Sequence, residues 1–125
     1  MRRAPEVTAD LAVVLLFVVI GRNTHAHGLA PDGLASTAWP FVVGLAVGWS
    51  VVLQRGWAGS SLGAGVTVWI ATVGLGMVLR VVAGQGTAVA FVLVALGFLG
   101  AAMLGWRGLA AAFARSGRGR QGDGA

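Results

Sequence analysis

The sequence predicts an all-α protein, a four-helix bundle that crosses a membrane with both termini in the cytoplasm. Hydrophobic residues make up 57% of the 125 residues and charged residues only 10%, whereas a soluble domain carries about a quarter charged residues. Four long stretches are apolar all round the predicted helix rather than on one face, which is typical of a transmembrane span. We therefore predict one membrane domain over residues 1–107 and a basic, disordered tail over residues 108–125.

The four predicted spans are residues 7–25, 38–53, 62–82 and 87–106. The first span is unusual, because its uninterrupted apolar run from Leu11 to Gly21 covers only about 16 Å at the rise of an α-helix. The hydrocarbon core of a bilayer is about 30 Å thick. The helix must therefore draw Asp10 inward at one end and Arg22 and His25 at the other. Ionisable side chains at this depth are costly, so we expect them to face the bundle interior.

The other spans carry small residues at a spacing of four, which lets two helix backbones approach closely. The second span is predicted to begin at Trp39-Pro40, because proline needs no donor partner in the first helical turn. The residues expected to pack helices together are Gly44 and Gly48 in the second span, Gly76 in the third, and Gly97, Ala101 and Gly105 in the fourth.

The arginines predict the orientation. With four spans, the N-terminus, the middle loop and the tail share one side, which holds seven arginines, while Arg22 and Arg80 lie on the other side. The positive-inside rule then places both termini in the cytoplasm of a multi-pass protein of the cell membrane. The seven are Arg2, Arg3, Arg55, Arg107, Arg115, Arg118 and Arg120.

A cleaved signal peptide is the alternative interpretation of the N-terminus. Arg2 and Arg3 precede the apolar run, and Thr24-His25-Ala26 resembles a cleavage site. Glu6 and Asp10 argue against it, because they stand where a signal peptide carries positive charge.

Several kinds of chemistry have no residues to support them. The chain has no cysteine, which excludes disulfides and thiolate metal sites. His25 and His27 form an incomplete metal-ligand pair, so we predict no metal site and no cofactor. No catalytic motif is present, and we predict no catalytic residues. The arginines flank apolar spans rather than forming a basic helix, so the expected partner is the lipid bilayer, with a possible homo-oligomer or larger membrane complex, and not nucleic acid.

Two groups of polar residues are candidate sites. At the inner end we expect Asp10 to form a structural ion pair with Arg107 or Arg55. At the outer end, Arg22, His25 and Arg80 are expected to gather, with Thr72 and Trp69 on the same face of the third span as Arg80. Such a pocket would be positively charged and would favour a phosphate or carboxylate group. The simpler alternative is that both arginines extend to lipid phosphates and anchor the helix ends.

A series of short motifs follows a fixed order along the chain: Asp10, Phe17, Gly21-Arg22-x-x-His25, Trp39-Pro40-Phe41-x-x-Gly44, Gly65-Val66-Thr67-x-Trp69, Gly76-Met77-x-x-Arg80, Gly84-x-Gly86, Phe91 and Gly105-Trp106-Arg107. In this order the motifs resemble domain-of-unknown-function family 3054, small four-span prokaryotic membrane proteins known mainly from actinobacteria and haloarchaea. The resemblance covers residues 8 to 107 and implies four spans with no established activity. It brings no catalytic residues.

Three functional hypotheses follow. The first is a component that binds or transports a small anionic or lipid-headgroup ligand at its outer mouth. The alternative is a structural or accessory subunit that packs through its glycine grooves. The least supported is an intramembrane lipid-modifying enzyme with His25 as acid–base, because the chain offers no nucleophile or metal to accompany it.

Overall fold

The structure, a computed structural model, describes residues 3–24 and 28–123 and confirms the all-α prediction. These residues form four helices and no strand, and each helix is long and apolar enough to cross a membrane. The chain is therefore a multi-pass membrane protein. The helices are α1 (Arg3–Thr24), α2 (Pro31–Arg55), α3 (Leu62–Val82) and α4 (Val89–Asp123).

The helices form a ring in which each contacts the helix before it and the helix after it. Contact between α2 and α3 is the most extensive, and contact between α1 and α4, which closes the ring, is the least. Buried aliphatic and aromatic side chains from all four helices fill the centre. Phe17 of α1 lies at its middle, with its ring centroid 5.5 Å from Phe41 and 5.8 Å from both Phe91 and Phe98.

The second helix begins earlier than predicted. It starts at Pro31, which occupies the first turn, and Pro40 lies inside the helix and is fully buried. The prediction that Trp39-Pro40 opens the helix was therefore wrong. A proline within a helix deprives the carbonyl four residues earlier of its donor, and a membrane helix tolerates this where a neighbouring group supplies a replacement. Here the carbonyl oxygen of Ser36 accepts a hydrogen bond from Gln85 Nε2 at 3.0 Å.

Two of the predicted small-residue positions in α2 bring α2 and α3 into close backbone contact. A Cβ atom on Gly44 would lie 2.7 Å from the carbonyl oxygen of Ala71, and one on Gly48 would lie 2.9 Å from the Cα of Val68. Gly76 of α3 has the ring of Phe41 against it, where a Cβ would lie 2.7 Å from the nearest ring carbon. Glycine is needed at these sites because a side chain would separate the helices.

The small residues of α4 that were predicted to pack helices together lie on its outer face. A Cβ atom added to Gly97 or Gly105 would meet no other atom within 4 Å. Both glycines are exposed, and so is Ala101. These three residues face away from the bundle and hold none of the four helices together. Gly100, which was not predicted, makes the close contact instead, with a Cβ position 2.8 Å from the indole of Trp69.

The last helix continues beyond the predicted end of the membrane domain. A disordered tail was predicted from residue 108, whereas α4 runs through Asp123. The segment from Leu109 to Ala114 is rich in alanine and contains no proline, so nothing in it stops the helix begun in the bundle. The side chains of residues 108–117 are exposed.

Candidate functional site

Polar side chains collect at both ends of the bundle, and the first group is centred on Asp10. Asp10 lies in α1 directly before the apolar run, and its carboxylate is fully buried. Arg107 of α4, also fully buried, donates from Nη1 to Oδ1 at 2.9 Å and from Nη2 to Oδ2 at 2.7 Å. This is the bidentate arrangement in which a guanidinium binds a carboxylate most strongly.

Two indoles complete the coordination of this carboxylate. Trp49 of α2 donates from Nε1 to Oδ2 at 3.0 Å, and Trp106 of α4 donates from Nε1 to Oδ1 at 2.9 Å. Each oxygen thus accepts two hydrogen bonds, which uses the acceptor capacity of an ionised carboxylate. We call Asp10, Trp49, Trp106 and Arg107 the aspartate cluster.

Two further N–H groups of Arg107 have partners, so four of its five N–H groups are used. Its Nε donates to the carbonyl oxygen of Gly59 at 2.9 Å, and Nη1 donates to Met103 at 3.1 Å. No buried side-chain nitrogen or oxygen in the described part of the chain lacks a hydrogen-bond partner. The cluster therefore joins α1, α2, the loop after α2 and α4, and each of its side-chain nitrogen and oxygen atoms has a hydrogen-bond partner. Of the two arginines expected near Asp10, Arg55 lies elsewhere, exposed, with its guanidinium 5.9 Å from the ring centre of Trp57.

The second group lines a cavity of about 580 Å³ at the opposite end of the bundle. This volume is within the range of small-molecule sites. All four helices and the turn between α3 and α4 contribute to it. We call it the arginine cavity, and its lining is Phe17, Val18, Gly21, Arg22, Ser36, Thr37, Arg80, Gln85, Gly86, Ala88, Ala90, Phe91 and Val94.

Arg22 enters this cavity from the last turn of α1. Its Nε donates to the carbonyl oxygen of Gly28 at 2.8 Å, and its Nη1 donates to Oγ1 of Thr37 at 2.8 Å. Gly28 has φ +82°, a conformation that glycine adopts without strain. These bonds hold the guanidinium against the start of α2, so its position in the cavity wall is set by the protein.

Arg80 enters from the last turn of α3 and is held by the turn that follows it. Its Nε and Nη2 both donate to the carbonyl oxygen of Gly86, at 3.0 and 2.7 Å, and its Nη1 donates to Gln85 Oε1 at 2.9 Å. The guanidinium carbon lies 4.4 Å from the ring centre of Phe91, within the range of a cation–π contact. Two of the five N–H groups of Arg80 have no partner within residues 3–24 and 28–123 and can donate to a ligand.

A chain of bonds connects Pro40 to the position of Arg80. Pro40 frees the carbonyl of Ser36, which accepts from Gln85 Nε2, and the other end of the same amide accepts from Arg80. The amide of Gln85 is thereby fixed at both ends. The internal proline of α2 thus helps to place a cationic side chain of α3.

Apolar side chains form the other half of the arginine cavity. Phe17 and Val18 of α1 face Phe91 and Val94 of α4, and the tilted rings of Phe17 and Phe91 close the floor of the cavity. The cavity is therefore cationic at the bundle end and apolar one turn deeper.

The structure brings together only some of the predicted ligand residues. Arg22 and Arg80 line one cavity, but Thr72 and Trp69 do not. Thr72 is buried between helices and donates to the carbonyl oxygen of Val68 at 2.6 Å. Trp69 donates from Nε1 to Leu96 of α4 at 3.0 Å and lies over Gly100. Both residues lie on the face of α3 that packs against the neighbouring helices. The periodicity of the sequence does not distinguish such a face from one that lines a cavity.

His25 and His27 lie outside the described residues, so their predicted roles stay predictions. The residues that the sequence analysis missed are those whose importance depends on a neighbour. Gln85, Ser36 and Thr37 are ordinary polar residues near helix ends, and only the packing shows what they bind. Trp49 did carry a signal, because an indole N–H deep in a membrane requires an acceptor.

Comparison with known proteins identifies the family. The model of the family described as protein of unknown function (DUF3054) matches residues 7–110. The chain belongs to this family. No curated protein and no solved structure matches it.

Proposed function

We propose that this multi-pass membrane protein binds a small anionic group in the arginine cavity. The observation that carries the proposal is the presence of two guanidinium groups, Arg22 and Arg80, in the wall of one cavity between four membrane-spanning helices. Guanidinium groups suit phosphate and carboxylate because their planar N–H groups match two oxygens at once. A cation that only anchored a helix end in lipid would not need a cavity beside it.

The hydrogen bonds that hold Arg80 also support anion binding. The described partners of Arg80 are neutral, two carbonyl bonds to Gly86 and one amide bond to Gln85, and no carboxylate in the described chain forms an ion pair with it. Neutral acceptors orient the group without cancelling its charge. An anion at the free N–H groups would then meet a cation that is already in position, which lowers the entropy lost on binding.

Binding is favoured over transport through the bundle. The aromatic side chains around Phe17 close the floor of the cavity, and the aspartate cluster fills the opposite end. A through-pathway would have to break both. The positive-inside rule predicts that the arginine cavity lies at the outer face of the cell membrane, where an anion would approach from outside or from the outer leaflet.

The test is anion binding by protein purified in an uncharged detergent, with inorganic phosphate and dodecyl phosphate as probes. Each charge-assisted hydrogen bond contributes about 1.5–3 kcal/mol, so Arg80→Ala and Arg22→Ala should each weaken binding of at least one probe by about tenfold or more. Arg55→Ala is the matched control, because Arg55 is an exposed arginine remote from the cavity. Equal binding by the parent and both cavity variants, or no binding of either probe, would refute the proposal.

A second candidate function is assembly into an oligomer or a larger membrane complex. It is supported by the outward position of Gly97, Ala101 and Gly105 on α4, which leaves a small-residue stripe available to another helix. Gly97→Leu and Gly105→Leu should then abolish a cross-linked dimer in membranes, whereas Gly74→Leu, at an exposed glycine of α3 that also has open space around it, should not. A protein that is monomeric in mild detergent and gives no cross-link in membranes would exclude this role.

A further inference from the structure

We infer that the anion bound by the arginine cavity carries an apolar chain and enters from the bilayer between α1 and α4. This inference rests on the proposed function and names the class of its ligand: a membrane amphiphile with an anionic head, rather than a free anion. It comes from the distribution of apolar side chains and of openings around the cavity.

The first observation is the order of side chains along the cavity. Val18 lies one helical turn below Arg22 on α1, and Val94 lies one turn below Ala90 on α4. The lining is therefore charged and polar at the bundle end and apolar toward the membrane interior. An amphiphile in a leaflet has the same order, with its head at the interface and its chain in the hydrocarbon core. A free anion would leave the apolar half of the cavity unfilled.

The second observation is the direction in which the cavity opens. Val94 and Ala90 line the cavity and are also exposed, Val94 by 59% of its surface. A side chain of a membrane-spanning helix that is both exposed and part of a cavity wall marks an opening toward the lipid. The opening lies at the seam between α1 and α4, the two neighbouring helices that contact each other least.

The third observation concerns the other sides of the cavity. The turn after α3 is tied to α2 by the bond from Gln85 to Ser36, and α1 is tied to the start of α2 by the bond from Arg22 to Thr37. No such side-chain bond between α1 and α4 occurs at this end in the described residues. The bonded sides are held together, and the α1–α4 seam is the side through which a chain can pass.

The experiment compares dodecyl phosphate with inorganic phosphate on the purified full-length protein. Burial of two methylene groups strengthens binding by about tenfold, so dodecyl phosphate should bind at least ten times more tightly. Val94→Trp should fill the seam between α1 and α4 and weaken binding of dodecyl phosphate by about tenfold or more. It should weaken binding of inorganic phosphate less than binding of dodecyl phosphate, since both arginines stay in place.

Leu93→Trp is the matched control, because Leu93 is exposed on the same turn of α4 but does not line the cavity. It should leave both affinities unchanged. Ala90→Trp is a second blocking variant, in case Val94→Trp does not fold. Dodecyl phosphate binding that neither blocking variant weakens would overturn this inference.

The outcomes separate the inference from the proposed function. Suppose that inorganic phosphate binds as tightly as dodecyl phosphate and that Arg80→Ala weakens binding of both probes. The dodecyl chain then contributes nothing to the affinity, and only the inference of an amphiphilic ligand is refuted. If Arg80→Ala and Arg22→Ala bind both probes like the parent, the proposed function fails and this inference fails with it. If dodecyl phosphate alone binds, and the arginine variants and the seam variants weaken its binding while Leu93→Trp does not, the apolar chain is established as part of the ligand.

Discussion

Asp10 and Arg107 are 97 positions apart and form a fully buried, bidentate ion pair with bonds of 2.9 and 2.7 Å. The pair joins the first helix to the last, and the four-helix ring closes at this contact. Of the neighbouring helix pairs in the described chain, α1 and α4 contact each other least. The aspartate cluster thus holds the closing seam at one end, and the arginine cavity lies at the other end of the bundle.

Removal of one partner of this pair should destabilise the bundle strongly. Asp10→Ala leaves a buried guanidinium without its counter-ion, and Arg107→Leu leaves a buried carboxylate, changes that cost about 3–5 kcal/mol each in known buried pairs. The double variant should lose less than the sum of the two single variants, because it leaves no buried charge. Unfolding free energies in detergent would measure this, and strictly additive losses would contradict it.

The two indole donors to Asp10 should contribute separately. Trp49→Phe and Trp106→Phe each remove one hydrogen bond to a charged group, which contributes about 1.5–3 kcal/mol. Trp57→Phe is the control, because Trp57 is exposed and donates no hydrogen bond to Asp10. Melting temperatures of the three variants would show the order, and a Trp57 variant as unstable as the others would argue against a specific role for the cluster.

Substitution of glycine by alanine should have opposite effects on stability at a helix–helix contact and on an exposed helix face. Gly44→Ala places a Cβ 2.7 Å from the backbone of α3, which cannot move aside without separating the helices, so the protein should lose stability. Gly97→Ala meets no atom within 4 Å and should be neutral or stabilise by up to about 1 kcal/mol, since alanine favours a helix more than glycine does. Thermal unfolding of both variants in one detergent would test the difference.

Gln85 should act as a positioning residue for the arginine cavity. Gln85→Leu removes the amide that bonds Ser36 and Arg80, so we expect anion binding to weaken by a few-fold to tenfold while the fold is kept. Gln85→Asn, with a shorter side chain, should fail to restore binding. Thr67→Val is the control for a polar residue outside the cavity, since the side chain of Thr67 donates within its own helix, to the carbonyl oxygen of Gly63. Binding by the Gln85→Leu variant equal to that of the parent would show that Arg80 does not depend on this bond.

Pro40 should have a related effect through the backbone. Pro40→Ala restores an N–H that competes with Gln85 for the carbonyl of Ser36. We expect a helix that is no less stable and an affinity for the anion probe that falls in the same direction as in Gln85→Leu. In the double variant with Gln85→Leu the two losses should not add, because both act on the same bond.

Composition and span length were enough to predict a four-span membrane protein, because transfer from water to lipid is close to a sum over the residues of each stretch. The same reasoning showed that Asp10 needed a partner, since the first apolar run is too short to keep its charged flanks in water. Which arginine it binds depends on how four helices are rotated and shifted against one another. That choice is not visible in the linear sequence. The same is true of the outward position of the small-residue stripe on α4, and of the bond from Gln85 to the carbonyl that Pro40 leaves without a donor. Each arises from contacts between residues far apart in the chain, and such contacts form only once the helices have packed.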